Sequence, residues 1–559
     1  MVYKNLKRLI SLALVVMMIV SLTACGVKGK ETGSDQEKKD SSEKASSEGD
    51  SSAADSGEGA AISEITLPIT DEKVTLSYWF PWDATVSNVI SNNNETLTCQ
   101  RMEELTGVHI EYIHPTIGSE QEIFSVLIAS GDYPDMIYLA NGATYPGGIV
   151  GGIDDGVFLN INDLVQQYAP NFSGWREYDD VHRIETISDD GFILGFPMMN
   201  EEGEPANLGM VIRQDKLDLL GMEVPETLDE IYGVLKAAHD KLGMKSPLLL
   251  PGTGVFEDSN ILAAFGVGKD WYQDNGTVKY GPIQEGYKQY LQLMNQWYSE
   301  GLIDPNFVSN SFTGAPPNDL LVSEDVMMTT TVWGRTVDAM VVNGVTENKD
   351  FWLTPMPSAK QKKGDTVGIR TWNSPILGQT VITSGCKNPE IATKWLDYQY
   401  TKDAMILNNY GVEGVTFSYD EKGDFQFTDL IMNNPDGLNP TDANRLYIRR
   451  NGSGWIDYMR QWLTNPTVKH KDQVWAYDIW NEDGTEQIVP NVTFSTQESQ
   501  DYSSAYSDIE TYMREMTVKF IMGVASLNDW DTYVSTIQSM GIEDCTKLKQ
   551  LALDRYYNR

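Results

Sequence analysis

Little in this 559-residue chain points to catalysis or to covalent cross-linking. Its four cysteines, Cys25, Cys99, Cys386 and Cys545, lie far apart and form no CxxC pair. The five histidines, His109, His114, His182, His239 and His470, show no HExxH or other ligand spacing. No metal ligand is therefore assigned. Asp154-Asp155-Gly156 and Asn481-Glu482-Asp483-Gly484 miss the DxDxDG…E spacing of a calcium loop and read as turns. GxGxxG, GxxxxGK[ST] and GxSxG are all absent. The chain thus has no dinucleotide fingerprint, phosphate loop or nucleophile elbow, and no catalytic residue is nominated. Positive charge is scarce as well: 42 Lys and Arg stand against 80 Asp and Glu, a formal charge of -38. Such a balance excludes nucleic acid as a natural partner. Long apolar runs are missing too. The one candidate, Leu9–Leu22, is 14 residues, whereas a bilayer span needs roughly 20.

What is present begins at the N-terminus. Lys4, Lys7 and Arg8 precede the apolar run, and small residues Thr23-Ala24 follow it. Residues 1–24 read as an export signal. Leu22-Thr23-Ala24-Cys25 resembles the lipobox of bacterial lipoproteins. The resemblance implies that Cys25 is acylated and becomes the new N-terminus. Two or more acyl chains hold a protein stably at a membrane. The mature chain is then expected on the outer face of the cell membrane, tethered and not spanning. Losing Lys4, Lys7 and Arg8 takes the formal charge from -38 to -41. Three cysteines remain, an odd number that argues against a full disulfide framework. Residues 25–63 carry the lipid site and then a Ser-, Glu- and Lys-rich tract without aromatics. Such a tract cannot bury enough apolar surface to order itself and reads as a flexible spacer.

The body, residues 64–559, is long for one core and suggests two lobes. Lys73–Pro81 and Val108–Tyr112 read as strands and Gly131–Ala140 as a turn feeding a third, with helices at Asn94–Gly107 and Glu120–Ser130 between them. That alternation implies a parallel sheet with helices on its faces. Further strands are expected at Phe192–Pro197, Gly209–Arg213 and Gln379–Thr383. Thr227 and Glu230 form a capping-box pattern ahead of a helix ending near Leu242. Asn275-Gly276 carries a hairpin signal. Helices are expected at Gly286–Glu300, Asn388–Lys402, Ser507–Ile521 and Ser526–Met540.

Five segments resemble, in order, family 1 extracellular solute-binding proteins, the capture subunits of ABC importers. They are SVLIASGDYPDMIYL (125–139), VIRQDKLDLLGMEVPETLDEIYGVLKA (211–237), YLQLMNQWYSEGLIDPNF (290–307), NPEIATKWLDYQYTKDAMILNNYGVEGVTF (388–417) and SDIETYMREMTVKFIMGVASLNDWDTYVSTIQSMG (507–541). The subgroup is the large sugar-binding lipoproteins of Gram-positive bacteria. The resemblance implies an α/β, two-lobe periplasmic-binding-protein-like fold with a hinge, an interlobe cleft and a helical C-terminal part. It puts residues 64–198 plus 370–425 in one lobe and 199–369 plus 426–559 in the other. It implies an oligosaccharide ligand, ABC permease subunits as partners, a monomer and no cofactor. Some relatives hold a structural calcium, which leaves that ion open.

Sugars present hydroxyl rims and apolar C–H faces, suited by paired donors and by aromatic rings. Trp79 and Trp82 end the first expected strand, and Tyr145 follows the third. Trp333 and Arg335 lie in TVWGRT, Trp372 and Asn373 in RTWNSP, and Trp455 in GSGWIDY. With Arg213, these are the ligand-facing expectations. Each tryptophan has core packing as its alternative, and Arg213 has a carboxylate partner as its own. Two other functions compete. One is a secreted glycoside hydrolase with a carboxylate pair. The other is a surface lipoprotein that binds peptide or acts as a sensor or adhesin.

Overall fold

The computed structural model describes residues 65–559 apart from 82–85, 88, 140–143, 202–207, 251–259, 311–317, 333–349, 371–373, 439, 449–451 and 457–469. Cys25 and the spacer therefore lie outside the described residues, as do Trp82, Trp333, Arg335, Trp372 and Asn373.

The chain first forms β1 (Val74–Trp79), whose alternate residues face opposite sides. Tyr78 enters one core cluster and Trp79 the other. Helix Leu97–Thr106 follows; the Thr96 hydroxyl accepts from the Cys99 N–H at its start. Gly107 stops it at φ 73, where a Cβ would lie 2.9 Å from the Thr70 carbonyl oxygen. Only glycine suits that position. β2 (Val108–Ile113) and β3 (Met136–Leu139) then pair parallel to β1 on its two sides, with helix Glu120–Ser130 between them. Short helices from Asn162 to Glu185 lead to β4 (Phe196–Met199).

The chain next crosses to a second sheet through β5 (Leu208–Arg213) and β6 (Leu248–Leu249). β7 (Trp271–Asp274) and β8 (Thr277–Tyr280) form a hairpin. Its turn, Asn275-Gly276, has φ 51 and 82, the two positive values such a turn requires. β9 (Met328–Val332) and β10 (Leu353–Pro355) complete the second sheet. The chain returns through β11 (Ile376–Ile382), makes the hairpin β12 (Phe417–Tyr419) and β13 (Phe425–Phe427), and adds β14 (Gly454–Trp455).

The first sheet has the order β14-β4-β11-β3-β1-β2, and the second β10-β5-β9-β6. Both belong to one compact unit, Glu58–Arg559. The first sheet departs from the expected parallel pattern at β11, which runs antiparallel to both β3 and β4. Parallel neighbours need a crossover on the face of their own sheet, and β11 arrives instead from the second sheet. Residues 426–559, expected with the second lobe, also send β14 back to the first sheet.

The second core is largely helical. Tyr287, Leu291, Met294 and Trp297 of helix Glu285–Ser299 pack with Ile509, Met513 and Phe520 of helix Thr496–Ile521. That long helix starts eleven residues before the expected position, at a capping box formed by Ser495 and Glu498. The helix expected over Asn388–Lys402 ends earlier, as Pro389–Tyr398, and a second piece, Lys402–Tyr410, begins where it was expected to end. The Thr401 side chain caps the second piece by accepting from the Ala404 N–H. Helix Ile542–Asn558 closes the described chain.

Candidate ligand cleft and hinge

Among the described residues the chain passes between the sheets three times: from β4 to β5, from β10 to β11, and from β14 to helix His470–Asn481. These passages are tied to one another. The Asn200 N–H, past β4, donates to the Pro375 carbonyl just before β11 at 3.0 Å. The Ile456 N–H, past β14, donates to the Met199 carbonyl at 2.9 Å. On the second side, the Trp480 indole donates to the Met356 carbonyl at 3.1 Å, and its ring lies against Gly209. Two α/β bodies joined by a few adjacent connections can rotate about them, as hinged binding proteins do.

The described ligand-facing expectations do not converge on one exposed surface. Trp79 is 1% exposed and packs against Phe124, Ile137, Tyr145 and Val381, its ring 5.6 Å from Phe124. Its ring presents no face to solvent, so core packing is its role in this structure. The next residue, Phe80, stacks on Tyr138 at 5.0 Å. Tyr145 joins the cluster of Trp79; its hydroxyl donates to Asp155 at 2.8 Å. Burial first, and the Asp155 carboxylate second, push the Tyr145 hydroxyl up to about 12.

Arg213 corrects the expectation in the direction of its alternative. Its side chain is fully buried at the end of β5. Nε and Nη2 donate to the two oxygens of Asp215 at 2.7 and 2.8 Å. Nη2 also reaches Glu324 at 3.2 Å, and Phe351 lies 4.5 Å from the guanidinium. Burial opposes its charge, yet Asp215 and Glu324 outweigh burial and raise its pKa. A bidentate carboxylate pair leaves this guanidinium little to offer a sugar. Trp455 lies on β14, half-buried, its ring 4.9 Å from Trp175 on the helical face of the first sheet.

The sequence reading missed two buried carboxylates. Glu185 is the chief one, 5% exposed, with burial raising its carboxyl pKa. No periodicity or short motif marks it. Asp483 was read only as part of a turn; it too is buried, and burial raises its pKa. Among the described residues no group of three or more His, Cys, Asp or Glu is gathered as for a metal. The described helices include none long and apolar enough to cross a membrane.

Comparison with known proteins agrees with this architecture. Residues 100–406, more than half of the chain, match the family described as bacterial extracellular solute-binding protein. The fructooligosaccharide ABC transporter substrate-binding protein FusA of Streptococcus pneumoniae serotype 4 is 26% identical over 526 residues, 88% of this chain and 92% of its own. The polygalacturonan/rhamnogalacturonan-binding protein YtcQ of Bacillus subtilis is 21% identical over 460 residues, 79% and 85%. The structure of the alginate-binding protein AlgQ2 without calcium ion superposes with a TM-score of 0.71 at 22% identity, over 87% of this chain and 99% of that one. FusA of S. pneumoniae in complex with kestose gives 0.69 at 23% identity, with the same coverage. Two α/β lobes, three tied crossings and a family match that runs from the first lobe through the second and back thus agree: this chain belongs to the bacterial extracellular solute-binding proteins.

Proposed function

We propose that the protein is a lipid-anchored receptor on the outer face of the cell membrane. It captures an oligosaccharide between its two lobes and delivers it to the permease subunits of an ABC transporter. The observation that carries this reading is the end-to-end likeness to FusA, which spans both sheets and covers 92% of that relative. Its name gives its cargo as a fructooligosaccharide. Cys25 supplies the anchor, and the spacer keeps the monomeric receptor at high effective concentration near its permease.

Capture without turnover fits a family of binding proteins. The ligand-facing set is Trp82, Trp333, Arg335, Trp372 and Asn373. In sequence, Trp82 lies three residues past β1, Trp333 follows β9 directly and Trp372 lies four before β11. Strand ends are where α/β folds hold ligands. A sugar held by one lobe gains contacts to the other only on closing, so it shifts the population toward the closed form. The lobes are residues 64–198 plus 370–425, and 199–369 plus 426–559, except that the described residues between 426 and 456 pack on the first lobe: Tyr447 accepts from Thr98, Leu446 packs on Val86 and Ile90, and β14 pairs with β4.

A thermal-shift series on the mature chain tests this. The probes are kestose, alginate oligomers, polygalacturonate fragments and short peptides. A native-state ligand stabilises by mass action, about 2.7 kcal/mol at a hundredfold excess over Kd. A rise in Tm with one glycan class and no product is expected. A rise with peptides alone, or cleavage of a glycan, overturns the reading.

A further inference from the structure

A polar joint sits beside the crossings, and its parts come from both sides of the hinge. Helix Asp180–Glu185 touches two passages at once. The His182 Nε2 lies 2.7 Å from the Asn200 carbonyl oxygen, just past β4. The Glu185 carboxylate accepts from the Ser374 hydroxyl, just before β11. From the other side come the Asn491 amide, donating to Glu185 at 2.9 Å, and the Tyr556 hydroxyl, at 3.2 Å. Nearby, Asp189 receives Arg555 Nε and Arg559 Nη2, each at 2.5 Å. Arg559 Nη1 also donates to the carbonyls of Ile184 and Ile187 at 3.2 and 2.6 Å. Arg555 grips both oxygens of Glu498, the capping residue of helix Thr496–Ile521. Arg555 and Tyr556 end helix Ile542–Asn558, whose opening residues Ile542 and Cys545 are packed in the second core.

The second lobe's long helices therefore terminate on a strap of the first lobe, residues 183–189. Such a contact constrains motion. A buried carboxylate stripped of its donors, or a half-buried ion pair pulled apart, is left desolvated and unpaired. A rotation that kept these distances would have to place its axis close to them, because displacement grows with distance from the axis. Building on the receptor reading above, we propose that Glu185, Asp189, Asn491, Arg555, Tyr556 and Arg559 form the pivot of lobe closure. Their bonds set how far and how often the ligand-free protein opens. These act as positioning residues, through the contacts they make across the hinge.

The test reads the interlobe distance directly. Spin labels go on Val126→Cys and Leu219→Cys, which are 66% and 71% exposed and lie on the first and second lobes. Cys386→Ser removes the half-buried thiol, while Cys99 and Cys545 are buried. The mature chain in detergent is measured without ligand by pulsed dipolar spectroscopy. One narrow distance distribution is expected for the parent. Asp189→Asn, and Arg555→Ala with Arg559→Ala, should broaden it or move its mean by several ångströms. Variants that fold yet superpose on the parent overturn the pivot. If the double variant fails to fold, Tyr556→Phe decides: it removes one hydrogen bond and little packing, and an unchanged width counts against the proposal. Adding kestose to the parent tests the receptor reading separately, since the pivot result is obtained without ligand.

Discussion

The two lobes reach rigidity by different routes. The first is built on a six-stranded sheet with apolar clusters on both faces. The second has four strands, one of them only Leu248–Leu249, and draws its core from helix Glu285–Ser299 and from helices of the chain's last sixty-odd residues. A small sheet can thus anchor a large lobe when long helices supply the buried area. The consequence is a second lobe that is completed only when the last part of the chain arrives.

The largest test of this contrast is calorimetric. Trp297 and Trp395 are fully buried, one in each core. Replacing either by Ala should cost about 3–5 kcal/mol. If the lobes melt as separate units, Trp297→Ala lowers one transition and Trp395→Ala the other. A single transition moved equally by both would break the comparison. Next comes the buried pair at the end of β5. Asp215→Ala leaves the buried Arg213 charge with only the exposed Glu324 as an acidic partner and should cost about 3 kcal/mol in the second lobe. Glu324, 62% exposed at its side chain, should cost under about 1 kcal/mol when replaced by Ala. Equilibrium urea unfolding distinguishes the two.

The first lobe carries its own pH sensitivity. Asp397 accepts from the Phe172 N–H at 2.8 Å and the Asn171 amide at 2.9 Å, capping a short helix. Burial raises its pKa to about 6, partly offset by those donors. The folded value exceeds the unfolded one, so protonation favours the fold. Its contribution is fully present near pH 4 and is lost as pH rises through about 6, an effect of roughly 2–3 kcal/mol. Tm measured from pH 4 to 7 should therefore fall less steeply with rising pH in Asp397→Asn than in the parent. Identical profiles would count against the raised carboxyl. A smaller effect than these two belongs to a cap in the second lobe. Thr227→Ala removes the hydroxyl that accepts from the Glu230 N–H, and the midpoint in urea should drop by the equivalent of about 1 kcal/mol.

Several features were legible in the residues themselves. The Thr227–Glu230 capping box, the Asn275-Gly276 turn and the glycine stop at Gly107 all lie where the sequence indicates. Helix Glu120–Ser130 matches its expected bounds. The direction of β11 was not legible, because it depends on which sheet the chain comes from. The helix that ends at Tyr398 was expected four residues longer, because a side-chain cap at Thr401, with no glycine or proline to mark it, separates it from the next helix. Trp79 shows the limit for the candidate site. Its position at a strand end suits a ligand platform, but which face of the pleat it takes decides its role, and here that face is a core.

What the sequence alone determined is therefore local: the caps, the turns and the order of elements. Those depend on residues within a turn or two of one another, where hydrogen bonds and allowed dihedrals are set by immediate neighbours. The tertiary structure decided the rest. It committed Arg213 to Asp215 and turned Trp79 inward. It also drew Glu185 together with Ser374, Asn491 and Tyr556, which lie 189, 306 and 371 residues away. No local preference can encode such a meeting. It exists because packing two cores leaves a buried carboxylate that only donors from distant helices can satisfy.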